Sequence, residues 1–304
     1  MINNYIKQLI DRVSSSSARL ILPEIGDPRI DLACKKLKEI GIDIINISDY
    51  DDSLNYISHI KKKKFTNNWT EDMLKEYVSV PINKALILLD LNYADCLIAG
   101  ATIPSADVIK SSIRVIGLDR NARWVSSCFF MISPNGLNAY TYADCGVIPE
   151  PNSNQLSSIA YNAAMNHELI SQEEPKVAFL SFSTNGSAQH YTVDRVKDAV
   201  KMFSNKYSHI LCEGDIQFDA AINKSVSMKK NSSSLLKGDA NVFIFPNLNA
   251  ANIAYKITQY LAGYSAWGPL LNGFNKPVHD LSRGCSADDI MYISMIGALQ
   301  SQTN

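Results

Sequence analysis

Short apolar runs of strand length alternate along this chain with longer segments in which apolar residues recur every three or four positions. The runs at 18–23, 42–47 and 94–101 read as buried strands. Between them, Ile30, Ala33, Leu37 and Ile40 line one face of a helix over 28–38, and Ser105 starts another that carries Ile109, Ile113 and Ile116. An amphipathic helix over 1–16 precedes the first strand, and Thr70 is placed to cap a helix whose first turn holds Glu71 and Asp72. The run 85–89 fits either a strand or the end of a helix. Farther on, strands are predicted at 124–131, 139–147, 177–182, 210–215 and 242–245. Helices are predicted over 154–170 and 251–261, and in the segment carrying Ile290, Ile293, Ile296 and Leu299. Strand, helix, strand at short spacing predicts an α/β architecture with parallel sheets, whose ligands gather at the carboxyl ends of the strands.

A length of 304 residues suggests about two domains. With 29 basic and 30 acidic residues and a net charge of −1, nothing electrostatic points to a nucleic-acid or membrane partner. The chain has no apolar run long enough to span a bilayer, and its N-terminus lacks an apolar signal core. Six cysteines, at 34, 96, 128, 145, 212 and 285, are scattered without a C-x-x-C pair, and the histidines at 59, 167, 190, 209 and 279 are equally dispersed. That pattern predicts a reducing, cytoplasmic setting and neither a disulfide framework nor a metal site. No G-x-G-x-x-G, Walker A or G-x-S-x-G motif occurs.

Candidate chemistry concentrates in Asp280-Leu281-Ser282-Arg283-Gly284-Cys285-Ser286-Ala287-Asp288-Asp289. Gly284 permits a sharp turn and Ser286 is placed to cap the helix that follows, so the turn sits where a helix N-terminus attracts anions. Arg283 adds a planar fork suited to phosphate oxygens. The same residues equally serve a structural turn, with Asp289 completing a capping box and Arg283 in a surface ion pair. Cys285 has no histidine nearer in sequence than His279 to activate it, and fits a small buried hydrophobe better than a nucleophile. A second turn, Ser183-Thr184-Asn185-Gly186-Ser187, leaves the strand at 177–182 and is either an anion cradle or an ordinary loop. The run Lys61-Lys62-Lys63-Lys64 reads as a solvated face.

Ordered along the chain, Leu22-Pro23-Glu24, Ala94-Asp95-Cys96-Leu97-Ile98-Ala99-Gly100-Ala101, Tyr142-Ala143-Asp144-Cys145-Gly146-Val147 and Leu180-Ser181-Phe182-Ser183-Thr184 lead into Gln217-Phe218-Asp219-Ala220-Ala221, Ala240-Asn241-Val242-Phe243-Ile244-Phe245-Pro246, Asn275-Lys276-Pro277 and the motif at 282–286. Together they resemble the phosphate acetyltransferase (phosphotransacetylase) family over nearly the whole chain. The resemblance implies a fold like that of the isocitrate and isopropylmalate dehydrogenases, two α/β domains with an interdomain cleft, in a homodimer. Its domains would be 1–121 plus 269–304, carrying the catalytic motif, and 122–268. It also implies the reversible conversion of acetyl-CoA and phosphate to acetyl phosphate and coenzyme A, with no metal or other cofactor, CoA serving as substrate. The family's motif residues carry over onto Ser282, Arg283 and Asp289, with Asp289 as the base that takes the CoA thiol proton. Phosphate and CoA contacts carry over onto Lys64, Lys110, Ser183, Thr184, Gly186 and Ser187.

The chain departs from the family pattern where anions bind. Two family arginines appear as lysines, at Lys64 or an adjacent lysine and at Lys110; a family lysine is Asn185; and a family His-Ser pair is Pro104-Ser105. Lysine keeps the charge and loses the bidentate fork. These departures leave three alternatives beside the leading one: a phosphate butyryltransferase or another acyl phosphate-forming transferase, a non-catalytic homologue, and a nicotinamide-dependent dehydrogenase of the same fold. Restoring the fork with Lys110→Arg is predicted to lower the Michaelis constant for phosphate in steady-state assays, and an unchanged or higher constant would remove Lys110 from the anion site.

Overall fold

The computed structural model of the protein describes residues 4–120 and 122–302. The chain opens with α1 (Asn4–Val13), β1 (Arg19–Ile21), α2 (Pro28–Glu39) and β2 (Asp43–Ile45). Asp27 caps α2 by accepting from the Arg29 N–H, and Pro28 fills a first-turn position that needs no donor. After α3 (Ser53–Ile60) and α4 (Glu71–Ser79), residues 85–89 lie inside α5 (Pro81–Asp90), so the helical alternative holds. Pro81 starts that helix, and each of residues 85–89 is buried, which explains the continuous apolar run. β3 (Cys96–Ala99) and α6 (Ser105–Val115) follow.

The middle of the chain forms β4 (Ser126–Ile132), β5 (Ala139–Ala143), α7 (Ser153–Ser171), β6 (Lys176–Leu180), α8 (Tyr191–Lys206) and β7 (Leu211–Ile216). It continues through the short helices α9 (Phe218–Ile222) and α10 (Lys224–Lys230) to β8 (Val242–Ile244) and α11 (Leu248–Tyr260). β5 is shorter than the predicted 139–147 because Asp144 turns the backbone. Its carboxylate accepts from the N–H groups of Gly146 (3.0 Å), Val147 (3.2 Å) and Ile148 (2.9 Å) and from the Ser127 N–H (3.2 Å). The chain closes with β9 (Ser265–Asn272), β10 (Val278–Asp280) and α12 (Ala287–Gln300).

These elements divide into two compact units, Met1–Arg123 with Gly268–Asn304, and Trp124–Trp267. The crossing expected at residue 121 falls on Asn121, which lies outside the described residues, as do residues 1–3 of the first predicted helix. The first unit is built on a parallel sheet in the order β10-β3-β1-β2. The second has a six-stranded sheet in the order β7-β6-β8-β5-β4-β9, in which β4 and β5 run antiparallel and β5, β8, β6 and β7 parallel. This is a mixed α/β architecture of the two-domain, dehydrogenase-like class. Among the described residues no helix is long and apolar enough to cross a membrane.

The apolar pattern did not reveal β9 or β10. Gly268 and Pro269 interrupt the first, and the second is three residues long with two polar side chains, His279 and Asp280, both buried. His279 belongs to the core. Its Nδ1 accepts from the Leu271 N–H at 3.1 Å and its Nε2 meets Gln300 Oε1 at 2.6 Å. Burial lowers its pKa to about 4 against the opposing pull of Gln300, so it is held neutral and is not a partner for Cys285.

α12 packs on α2 and β3, and Gly297 makes the approach to β3 possible. A Cβ there would fall 2.4 Å from Cys96 Sγ and 3.2 Å from His279 Cδ2. Glycine to alanine inside an exposed helix stabilises by about 1 kcal/mol. At this position the sign reverses: Gly297→Ala is expected to destabilise by about 1–3 kcal/mol in urea unfolding, as overpacking does, and unchanged or higher stability would contradict the packing described.

Candidate active site

β10, β3 and β1 lie side by side and run parallel, so their carboxyl ends open on one edge of the first unit. Three turns leave that edge. β1 ends in Leu22-Pro23-Glu24, β3 in Gly100-Ala101-Thr102-Ile103, and β10 in the 281–286 motif. Glu24, from the first, reaches into the second. It accepts from the N–H groups of Gly100 (2.8 Å), Ala101 (3.0 Å), Thr102 (2.6 Å) and Ile103 (2.8 Å) and from Thr102 Oγ1 (2.7 Å). Amides that would otherwise be unpaired at the end of β3 are satisfied by one buried carboxylate. The turn also needs glycine at 100, with φ at +107° and a would-be Cβ 2.6 Å from Leu281 N.

Arg29, at the start of α2, ties the β3 and β10 turns together. Its Nη1 donates to the Arg283 carbonyl (2.7 Å) and the Cys285 carbonyl (3.2 Å), and its Nη2 to the Ala101 carbonyl (3.1 Å). Asp27 holds the guanidinium from behind, with Oδ1 on Nε (3.0 Å) and Oδ2 on Nη2 (2.7 Å). That pairing draws the Asp27 carboxyl down to about 2. Neither Arg29 nor Asp27 stands out in the sequence. The one local signal was the Asp27-Pro28 helix start, and the partners that give Arg29 its role are up to 256 residues away.

The 281–286 turn delivers its side chains in two directions. Ser282 and Arg283 are exposed, and Arg283 makes no side-chain hydrogen bond or ion pair among the described residues. Cys285 points inward. Burial pushes its thiol up to about 11, against a weaker downward pull from Arg29, so it is not poised as a nucleophile. Ser286 caps α12, and the capping box is present: Ser286 Oγ accepts from the Asp289 N–H (3.2 Å) while Asp289 Oδ2 accepts from Ser286 N–H (2.9 Å) and Oγ (2.8 Å). The box uses one oxygen of Asp289; Oδ1 accepts no hydrogen bond among the described residues.

The expected anion contacts fall in different surroundings. Lys64 starts a 3-10 turn (Lys64–Thr66) and is exposed, with no ion-pair partner for its ammonium among the described residues. Its neighbours are committed: Lys63 pairs with Asp90 at 2.5 Å and donates to the Val115 carbonyl, and Lys61 pairs with Glu71. Lys110 lines a cavity of about 510 Å3 within the first unit, shared with Tyr77, Pro81, Ile82, Thr102 and Arg114. The 183–187 loop lies in the second unit, and its amides already have partners there. Ser183 and Thr184 N–H donate to Ser181 Oγ and Ser187 Oγ, Asn185 N–H to the Asp215 carbonyl, and Gly186 N–H to Asp215 Oδ2 at 3.4 Å. The N–H of Ser187 donates to the Thr184 carbonyl and that of Ala188 to Ser183 Oγ. An anion cradle made of those N–H groups would therefore compete with the loop's own bonds. Among the described residues no group of three or more His, Cys, Asp or Glu is placed to hold a metal ion.

Asp280, at the end of β10, is buried, and its Oδ1 has no hydrogen-bond partner. Burial pushes its carboxyl up to about 6, Glu24 adding to the rise and a hydrogen bond from Ser105 opposing it. A carboxyl raised in the folded state favours folding while protonated, and that contribution is lost as pH rises from about 4 through about 6. Asp280→Asn is therefore predicted to gain stability relative to the parent at pH 8 over pH 4, by on the order of 2 kcal/mol in urea unfolding. Equal effects at both pH values would contradict it.

A family model described as phosphate acetyl/butaryl transferase matches residues 28–298. A phosphate acetyltransferase of Acetivibrio thermocellus is 33% identical, over 98% of this chain and 98% of its own. The solved structure of the EutD phosphotransacetylase from Staphylococcus aureus superposes with a TM-score of 0.88 at 33% identity, covering 98% of both chains. That of a phosphotransacetylase from Streptococcus pyogenes gives 0.91 at 29% identity and covers 100% of both. A match that runs from α2 through both units and ends inside α12 shows that the chain belongs to the phosphate acetyl/butaryl transferase family of enzymes.

Proposed function

We propose that the protein transfers an acetyl group between coenzyme A and inorganic phosphate, reversibly converting acetyl-CoA and phosphate to acetyl phosphate and CoA. The observation that carries this reading is the 33% identity to a phosphate acetyltransferase over 98% of both chains. In the direction of acetyl-CoA synthesis, Asp289 takes the proton of the CoA thiol. The thiolate sulfur then attacks the acetyl carbonyl of acetyl phosphate, the carbonyl carbon to phosphate oxygen bond breaks, and the departing phosphate receives the proton from Asp289. A thiol is mostly protonated at neutral pH, so a positioned carboxylate raises the supply of thiolate. Arg283 binds phosphate and stabilises charge on the carbonyl oxygen, with a hydrogen bond from Ser282 to the same region.

Three features of the first unit support those roles. Ser282 and Arg283 are exposed, Asp289 follows Arg283 by six residues in the first turn of α12 with Oδ1 outside its capping box, and Cys285 is buried and has no task in a direct transfer. The reading includes no metal or organic cofactor besides the CoA substrate, a cytoplasmic setting, and a homodimer. An exposed apolar stripe on α11, Ile253, Ile257 and Tyr260, is the kind of surface that pairing would cover.

Free thiol released from acetyl-CoA tests the reaction. Release is expected to depend on added phosphate and to be faster with acetyl-CoA than with butyryl-CoA; no phosphate-dependent release would overturn it. Asp289→Asn keeps an oxygen that can accept in the capping box, so melting temperature should stay near that of the parent. Turnover should fall on the order of a hundredfold or more. Near-parental turnover would remove Asp289 as the base.

A further inference from the structure

We infer that Arg29 is a positioning residue for acyl transfer, fixing the turn that presents Arg283 without itself touching a substrate. The inference rests on the reaction proposed above. A guanidinium has five N–H donors in a fixed plane and no acceptor. Arg29 directs all of its donor directions inward, two to the Asp27 carboxylate and three to the carbonyls of Ala101, Arg283 and Cys285. No N–H remains for a phosphate oxygen. Arg283 is the reverse case, its backbone carbonyl held and its guanidinium without a side-chain partner among the described residues. One arginine is thus committed to the scaffold so that the other is presented from a fixed backbone.

The geometry also explains why the brace is an arginine. The Ala101 carbonyl belongs to the exit of β3, the Arg283 and Cys285 carbonyls to the exit of β10, and Asp27 to the cap of α2. Only a planar fork meets acceptors on three elements at once; an ammonium has three donors and no fixed plane. The β10 turn has two other short backbone bonds, Leu281 N–H to the Ala99 carbonyl at 2.7 Å where it leaves the sheet and Cys285 N–H to the Ser282 carbonyl at 2.9 Å. Without the brace, the carbonyls of Arg283 and Cys285 would lose their tie to α2, and the turn would be held by those two bonds and by the α12 cap.

A double-mutant cycle tests the inference. Phosphate-dependent thiol release is measured for the parent, Arg29→Lys, Arg283→Ala and the double variant, with thermal melts of each. Arg29→Lys is expected to lower kcat/KM by about tenfold or more in the parent and by less than about twofold when Arg283 is already alanine, because the brace acts through that side chain. Asp27→Asn keeps Arg29 but loosens its plane, and should give a smaller loss with the same dependence on Arg283, which preserves the test if Arg29→Lys folds poorly. Equal losses in both backgrounds would show that Arg29 acts on substrate directly or on the fold as a whole, and would overturn the positioning role alone. A parent chain that releases no thiol would overturn the underlying reaction with it.

Discussion

Backbone amides at the ends of parallel strands must find acceptors, and in this protein buried carboxylates supply them. In the first unit Glu24 takes four consecutive N–H groups from the β3 turn. In the second, Asp144 takes those of Gly146, Val147 and Ile148 after β5. Neither carboxylate pairs with a lysine or arginine among the described residues; the oriented amides do the work of a cation. A hydrogen bond to a charged group is worth about 1.5–3 kcal/mol, so several on one side chain are a large share of the stability of a domain. The Glu24 bonds fix the Ala101 carbonyl, against which Arg29 is set, and Arg29 in turn fixes the β10 turn.

That hierarchy separates groups that hold the edge from groups that are available to a ligand. Asp27, Glu24 and Arg29 are saturated by the protein, and Cys285 is buried with its thiol proton held. Ser282 and Arg283 are exposed. Asp289 belongs to both groups, one oxygen in the capping box and the other outside it. A residue can therefore cap its helix and still carry a lone pair toward solvent, and the structural and chemical readings of Asp289 do not exclude each other.

Much of the edge was legible in the sequence because its signals are local. Strand-length apolar runs marked β1 and β3, and the Ser286 and Asp289 spacing marked the box that starts α12. The concentration of Ser282, Arg283 and Asp289 around one glycine marked the turn on which the proposed chemistry rests. Other features had no local signal. Arg29 is an ordinary arginine in a helix until residues 101, 283 and 285 are brought to it. β10 is too short and too polar for a period, and its His279 and Asp280 are intelligible only as buried groups. Of the four-lysine run, sequence could not tell that Lys63 answers Asp90 while Lys64 stays exposed. In the 183–187 loop the amides of Asn185 and Gly186 are taken by Asp215, some 30 residues later, so local sequence could not decide between an anion cradle and an ordinary loop.

Direct transfer between two bound substrates, with no acyl group ever resting on the protein, is the central claim, and isotope exchange tests it most directly. Radiolabelled inorganic phosphate is incubated with unlabelled acetyl phosphate and the protein, with and without CoA. The account predicts label in acetyl phosphate only when CoA is present, since phosphate can leave and return only by way of acetyl-CoA. Label appearing without CoA would require an acylated side chain, and no label under either condition would mean that the chain does not catalyse the transfer at all.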